Sequence, residues 1–164
     1  MKKDNLNKLL LEELKDTYNA EQQILKELPK VVKKANSEKL KEALEKHYDQ
    51  TEKQVKKLGK VFRMLGEEPK GKKCLGMKGI IEENEESLQG EIDPSVKDAT
   101  IIAGAQKIEH YEICCYGTMA AHAKSLGMDD AASILKEILD EEKHTDEELT
   151  ALAESEINIE AVRM

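Results

Sequence analysis

The chain has 164 residues, with 26 Lys and Arg against 34 Asp and Glu, for a net charge of −8 at neutral pH. That length suits one domain spanning 1–164. Only 3% of the residues are aromatic and none is Trp, which excludes the β-branched and aromatic strands of sandwiches and barrels. An excess of Lys, Glu, Leu and Ala with three Pro predicts an all-α bundle.

Apolar residues at three- and four-residue steps predict a first helix over about 5–34, with the stripe Leu10, Leu14, Tyr18, Glu21, Leu25 and Leu28 and a kink at Pro29. Asn36 and Ser37 can cap a second helix over about 37–65, with the stripe Leu40, Leu44, His47, Thr51, Val55, Leu58 and Phe62 before Gly66 ends it. Residues 67–93 break the period with four glycines around one short helix near 77–89. Asp93 followed by Pro94 opens a third long helix, about 94–126, with Ile102, Ala105, Glu109, Glu112, Tyr116, Ala120 and Ala123 on one face. Gly127 stops it. Asp129 or Asp130 can cap a fourth, about 129–153, reading Leu135, Leu139, Glu142, Asp146, Leu149 and Leu152, and the polar tail beyond is expected to fray.

Two hairpins of long helices joined by residues 67–93 predict a four-helix bundle with one long crossover, the connectivity of ferritin-like folds. A helix of about 30 residues is about 45 Å long, a distance the link can span even when half helical.

No run approaches the ~18 apolar residues of a membrane span, and the opening MKKDNLNKLLLEELKD has acids too early for a signal peptide. A cytoplasmic protein without a membrane partner is expected. No basic cluster interleaves with aromatics, so nucleic acid is excluded as a direct partner. Cys74, Cys114 and Cys115 lack CxxC spacing, which points to small buried side chains and away from disulfides or thiolate zinc.

The stripes turn polar near mid-length, at Glu21, at His47 or Gln50, at Glu109 and Glu112, and at Glu142 and Asp146. Glu21 and Gln50 are each 14 residues from the first hairpin turn, and Glu112 and Glu142 are each 15 from Gly127. Antiparallel neighbours equidistant from their turn share a height, so these residues are expected in one layer. Several carboxylates cannot stay ionised together in a dry core. Two divalent cations would balance the four charges of Glu21, Glu109, Glu112 and Glu142, and hard oxygen donors with one imidazole suit a dinuclear iron or manganese centre, without excluding zinc.

His47 lies one turn from the expected layer and reads equally as a ligand or a hydrogen-bonded core histidine. Asp146 is a lower-ranked ligand. Glu141 and His144 have Glu-x-x-His spacing but point away from the core, as does His110. Tyr18 and Tyr116 lie one turn from Glu21 and Glu112, where a packed ring with a bonded hydroxyl is the expectation.

The segments DTYNAEQQIL (16–25), KHYDQTEKQV (46–55), DATIIAGAQKIEHYEICCYGTMAAHAKSLG (98–127) and LKEILDEEKHTDEEL (135–149) resemble those of the YciE/YciF-type bacterial stress proteins of the ferritin-like superfamily. IEHYEI with a downstream YGT is the most specific run. The resemblance implies a ferritin-like bundle, a homodimer and a role under osmotic, envelope or general stress. From the wider rubrerythrin-like pattern it implies Glu21 as the first-helix ligand, Glu109 and Glu112 as the third-helix pair and Glu142 as the fourth-helix carboxylate. The second helix departs from that pattern, which places Glu-x-x-His where this chain has Leu44 and His47.

The leading functional reading is a dinuclear iron or manganese protein that reacts with dioxygen or peroxide. The alternative is a non-catalytic stress bundle that binds or protects other proteins and keeps its buried acids protonated or bonded by Tyr18, Gln54 or Gln106. Mineral storage is a third reading and requires a large shell.

Overall fold

The computed structural model describes residues 5–163. Its elements are α1 (Leu6–Lys34), α2 (Glu38–Met64), α3 (Leu75–Ser87), α4 (Pro94–Ser125), α5 (Asp129–Leu152), a π-helical turn (Ala153–Ile157) and α6 (Asn158–Val162). The four long helices surround one core in the order α1, α2, α5, α4, each touching its two neighbours. The α1–α2 and α4–α5 hairpins are antiparallel, and the crossover carries the chain back along the bundle with α3 laid across α1 and α4. This is the predicted ferritin-like four-helix bundle, with the extra helix in the crossover.

Local chemistry sets the helix ends. Asn5, Ser37, Cys74 and Asp93 each accept a first-turn backbone N–H, and Pro94 occupies the first helical position of α4. Gly66 and Gly127 adopt φ of 73° and 71° just past α2 and α4, a region where a side chain is strained. α5 differs from expectation. Its cap is Met128, without a side-chain bond, and Asp129 and Asp130 lie inside the first turn, where their charges complement the helix dipole.

Asp98, on α4, ties the two hairpins together. Its carboxylate is 3% exposed and accepts the backbone N–H of Asn36 and of Ser37, each at 2.8 Å. The crossover is fixed by the Lys72 N–H on the Lys15 carbonyl (3.0 Å) and by the Tyr111 hydroxyl, which donates to Asp16 and lies 3.0 Å from the Cys74 sulfur. α3 approaches α4 closely at Gly104, where an added Cβ would meet the Asn84 amide at 2.8 Å.

Some expectations are corrected. The tail is ordered, because the helix widens into a π turn, with the Asn158 N–H bonded to the Ala153 carbonyl, and so returns Ile157 to the core at 1% exposure. The α1 stripe runs through Thr17 and Ile24, the half-buried Tyr18 and Leu25 lying beside it. In α2 Gln54 is buried where Val55 was expected. Cys74 is buried, but Cys115 is half-buried and Cys114 exposed, since the inner face of α4 at that height is taken by Glu112, Tyr116 and Met119.

The core is two apolar clusters. One includes Ile24, Leu28, Leu40, Leu44, Ile101, Ile102, Leu149 and Ile157. The other includes Leu10, Leu14, Leu58, Phe62, Tyr116, Met119, Leu135 and Ile138. Between them in every long helix lie buried polar residues.

Two stability measurements check this account. Asp98→Ala leaves the two loop N–H groups without their acceptor and is expected to cost about 2 kcal/mol in urea unfolding, Asp98→Asn costing less. Ile157→Ala is expected to cost about 2 to 4 kcal/mol, as a core truncation does. A frayed tail would instead leave the unfolding midpoint unchanged.

Candidate metal centre

The polar layer consists of Thr17 and Glu21 from α1, His47, Thr51 and Gln54 from α2, Glu109 and Glu112 from α4 and Glu142 from α5, each no more than 3% exposed. All but Thr51, which lies between His47 and Gln54, are held on the inner face by apolar residues one turn above or below, so each helix projects its polar group into the same dry space.

His47, Glu109, Glu112 and Glu142 each offer a ligand atom, and these atoms lie within 4.8 Å of one another. His47 Nδ1 is 3.2 Å from Glu109 Oε1, and its Nε2 is 3.9 Å from both Glu112 Oε2 and Glu142 Oε2. Glu21 borders this group. One of its oxygens accepts the Tyr116 hydroxyl, and the other has no hydrogen-bond partner. Tyr116 thus bonds across to α1, while Tyr18 is half-buried with its ring edge-on to Phe62 at 5.6 Å.

Asp146 lies outside the group. The inner face of α5 passes from Glu142 to Thr145 and Leu149, and this turns Asp146 sideways to His110 Nε2 (3.2 Å) and the Gln106 amide (3.3 Å). His110 and His144 are exposed, as expected. Glu141 is less open than expected, at 31% side-chain exposure, because it accepts bonds from Lys57 (2.6 Å) and Gln54 (3.1 Å). Gln50 is half-buried. The α2 contributions are therefore His47 and Gln54, whose amide donates to Glu142. Gln54 is hidden in the sequence by Val55 beside it, and its value shows only when α5 supplies two acceptors.

Burial governs the electrostatics. It pushes Glu21 up to about 8, with the charge of Glu142 adding to the shift and the Tyr116 bond opposing it. Glu142 rises to about 7, burial again leading, with the neighbouring Glu109 carboxyl and the Gln54 amide opposing. Glu109 and Glu112 are raised well above the carboxylate range by burial and then by neighbouring carboxylates. Burial drives His47 down to about 4, so its imidazole is neutral at pH 7 and keeps a lone pair for a ligand. Burial also lifts the Cys115 thiol to about 12, which leaves no reactive thiolate there.

A metal fits these residues on one direct observation. Among the described residues, eight buried side-chain atoms lack a hydrogen-bond partner, namely Glu21 Oε2, His47 Nε2, Gln54 Oε1, both oxygens of Glu109, both of Glu112, and Glu142 Oε2. All eight belong to this layer. Buried polar atoms normally have partners, and seven of these are carboxylate oxygens or an imidazole nitrogen, the donors that iron and manganese accept.

In metal-free protein the shifts have a definite sign. A carboxyl raised in the fold keeps a proton that the unfolded chain has released, so from about pH 4.5 to about pH 8 stability falls as pH rises. His47 acts oppositely between about 4 and 6.5, as one group against four. The unfolding free energy of chelator-treated protein, measured in urea, is expected to drop between about pH 5 and pH 8, by about 1.4 kcal/mol per pH unit for each extra proton held, and the urea midpoint to fall with it. Glu112→Gln should flatten the slope, and a midpoint rising over this range would contradict the assignment.

Residues 5–162 match the family described as a domain of unknown function, DUF892. The chain is 42% identical to protein YciF of Escherichia coli (strain K12) over 149 residues, 90% of each sequence. The crystal structure of the E. coli stress protein YciF superposes with a TM-score of 0.90 at 40% identity, covering 94% of this chain and 98% of that one. YcfI of Rhodopseudomonas palustris superposes with a TM-score of 0.88 at 42% identity, covering 90% and 94%. With one continuous match of sequence and fold along nearly its whole length, the chain belongs to the DUF892 family, alongside the stress protein YciF.

Proposed function

We propose that the buried layer is a dinuclear iron or manganese centre and that the protein reacts with dioxygen or peroxide under stress. The observation that carries this reading is the set of eight unpartnered polar atoms in one dry layer. Glu109, Glu112, Glu142 and His47 form the central ligand set, and Glu21, with one free oxygen beside them, supplies a fifth donor. Two divalent cations offset the charge of the four carboxylates, and the layer then holds ionised ligands at neutral pH without the repulsion that otherwise protonates them. Asp146 is bonded to His110 and Gln106 and has no part in the ligand set.

Bound iron or manganese would supply the change of oxidation state that reduction of dioxygen or peroxide requires. The protein's own residues supply position and proton control. Gln54 fixes one oxygen of Glu142 and Tyr116 fixes one of Glu21, which leaves the second oxygen of each free to bind. His47 is steered by its helix, because the Thr51 hydroxyl bonds the His47 carbonyl (2.9 Å) and the ring is packed at 3% exposure. The apolar clusters above and below exclude water, so a charge on any ligand is felt strongly by its neighbours.

Natively purified protein is expected to carry close to two metals per chain by elemental analysis, and Glu109→Ala to lose most of them. Adding iron or manganese to stripped protein should raise the thermal midpoint and remove the fall in stability toward pH 8. Protein from metal-replete cells that holds no metal and gains no stability on its addition would reject the centre. It would favour instead the non-catalytic bundle, in which replacing a buried Glu leaves the fold equally or more stable. Size-exclusion chromatography on the same samples distinguishes the homodimer that belongs to this reading from a storage shell.

A further inference from the structure

The apolar cluster that includes Ile24, Leu28 and Leu44, taken as the upper one, is incomplete where α3 crosses α1 and α4. A cavity of about 30 Å³ lies there, walled by Ile24, Leu28, Leu44, Ile101, Ala105 and Ile108. Ile24 is three residues after Glu21, Leu44 three before His47, Ala105 four before Glu109 and Ile108 four before Glu112. Residues at these spacings share a helix face one turn apart, about 5.4 Å along the axis. The inner wall of the cavity is thus made of the side chains stacked directly on four residues of the polar layer.

The outer end is covered by charge. Lys30 donates to Glu27 at 2.7 Å and to Glu85 at 3.2 Å, and both carboxylates border the cavity. Asn84, also at the rim, donates to the Gly104 carbonyl at 3.0 Å, a close approach that the missing Cβ of Gly104 allows. α3 is held down over an aliphatic space large enough for one small molecule. Water gains no partners along the aliphatic inner wall, whereas small apolar gases settle against such a surface.

We infer that this cavity is a binding site for dioxygen and the station from which dioxygen reaches the layer below. The inference rests on reading that layer as a metal centre, and it selects dioxygen over peroxide, because a polar peroxide molecule would lose its hydrogen bonds among Ile24, Leu44 and Ile108.

Diffraction from crystals pressurised with xenon tests the site without reference to metal. Xenon is expected between Ile24, Leu44 and Ile108, and is expected to be lost in Ala105→Leu, whose larger side chain fills the space. Leu88→Trp, which enlarges a half-buried side chain at the mouth of the cavity, is the second variant should the first fold poorly. In iron(II)-loaded protein both variants should slow oxidation by dioxygen about tenfold and leave metal content and oxidation by added peroxide unchanged. Absence of xenon from this position overturns the proposal, as does an unchanged rate with dioxygen in both variants. Protein that takes up no iron would overturn the metal reading instead, and the xenon map would then decide the gas site alone.

Discussion

Four carboxyl groups and one imidazole share a dry layer in the middle of this bundle, and they must be neutralised for the layer to exist. Burial is the leading cause that raises every one of the four carboxyls, and it depresses the imidazole, so the unaided protein meets the constraint by protonation. Protonation removes charge, but it leaves lone pairs without donors, as the eight unpartnered atoms show. Cations satisfy both demands at once, because each draws several oxygens to one point. The layer is costly to the bare fold and accounts for why two apolar clusters are separated by polar side chains when a continuous core would be more stable.

The rest of the architecture holds that layer in register. A helix displaced by one turn would move its acid by about 5.4 Å, beyond the 4.8 Å within which the four donor atoms lie. Asp98 locks the start of α4 against the α1–α2 turn, and the Tyr111, Asp16 and Cys74 contacts lock the crossover against α1 and α4. These ties join the two hairpins from opposite sides of the crossover. The π turn extends the upper cluster by returning Ile157 to it. Surface ion pairs such as Lys46 with Glu148 and Lys136 with Asp140 add little, being exposed and screened.

The cavity beneath α3 belongs to the same design. The crossover helix shields the upper cluster incompletely, and the gap falls over the layer because Ile24, Ala105 and Ile108 are one turn from its acids and Leu44 is one turn from His47. A bundle with short loops would leave that face of α1 and α4 open to water. Here the extra helix converts an exposed groove into a partly covered space with an aliphatic inner wall, the ionic contacts of Lys30 lying at its mouth.

Much of this was written into the linear pattern. Helical periodicity, capping by Ser37 and Asp93, and the stop glycines determined the long helices to within two residues, because these are interactions between near neighbours in the chain. Equal distances from the turns placed Glu112 beside Glu142, because an antiparallel pair conserves height. Neighbouring faces on one helix were decided only by tertiary contact. Thr145 faces inward in place of Asp146, and Gln54 in place of Val55, since the choice between steps of three and four depends on how α5 meets α2 and α4. The tail departs from the expected fraying for a related reason: a single π turn, favoured by burial of Ile157, shifts the phase of everything after it. The sequence by itself determined which residue types can bind metal and roughly at what height, through local hydrogen bonding and burial of one stripe. Only the packed bundle decided which donors meet, because donor atoms on four helices converge through side-chain directions that no single helix specifies.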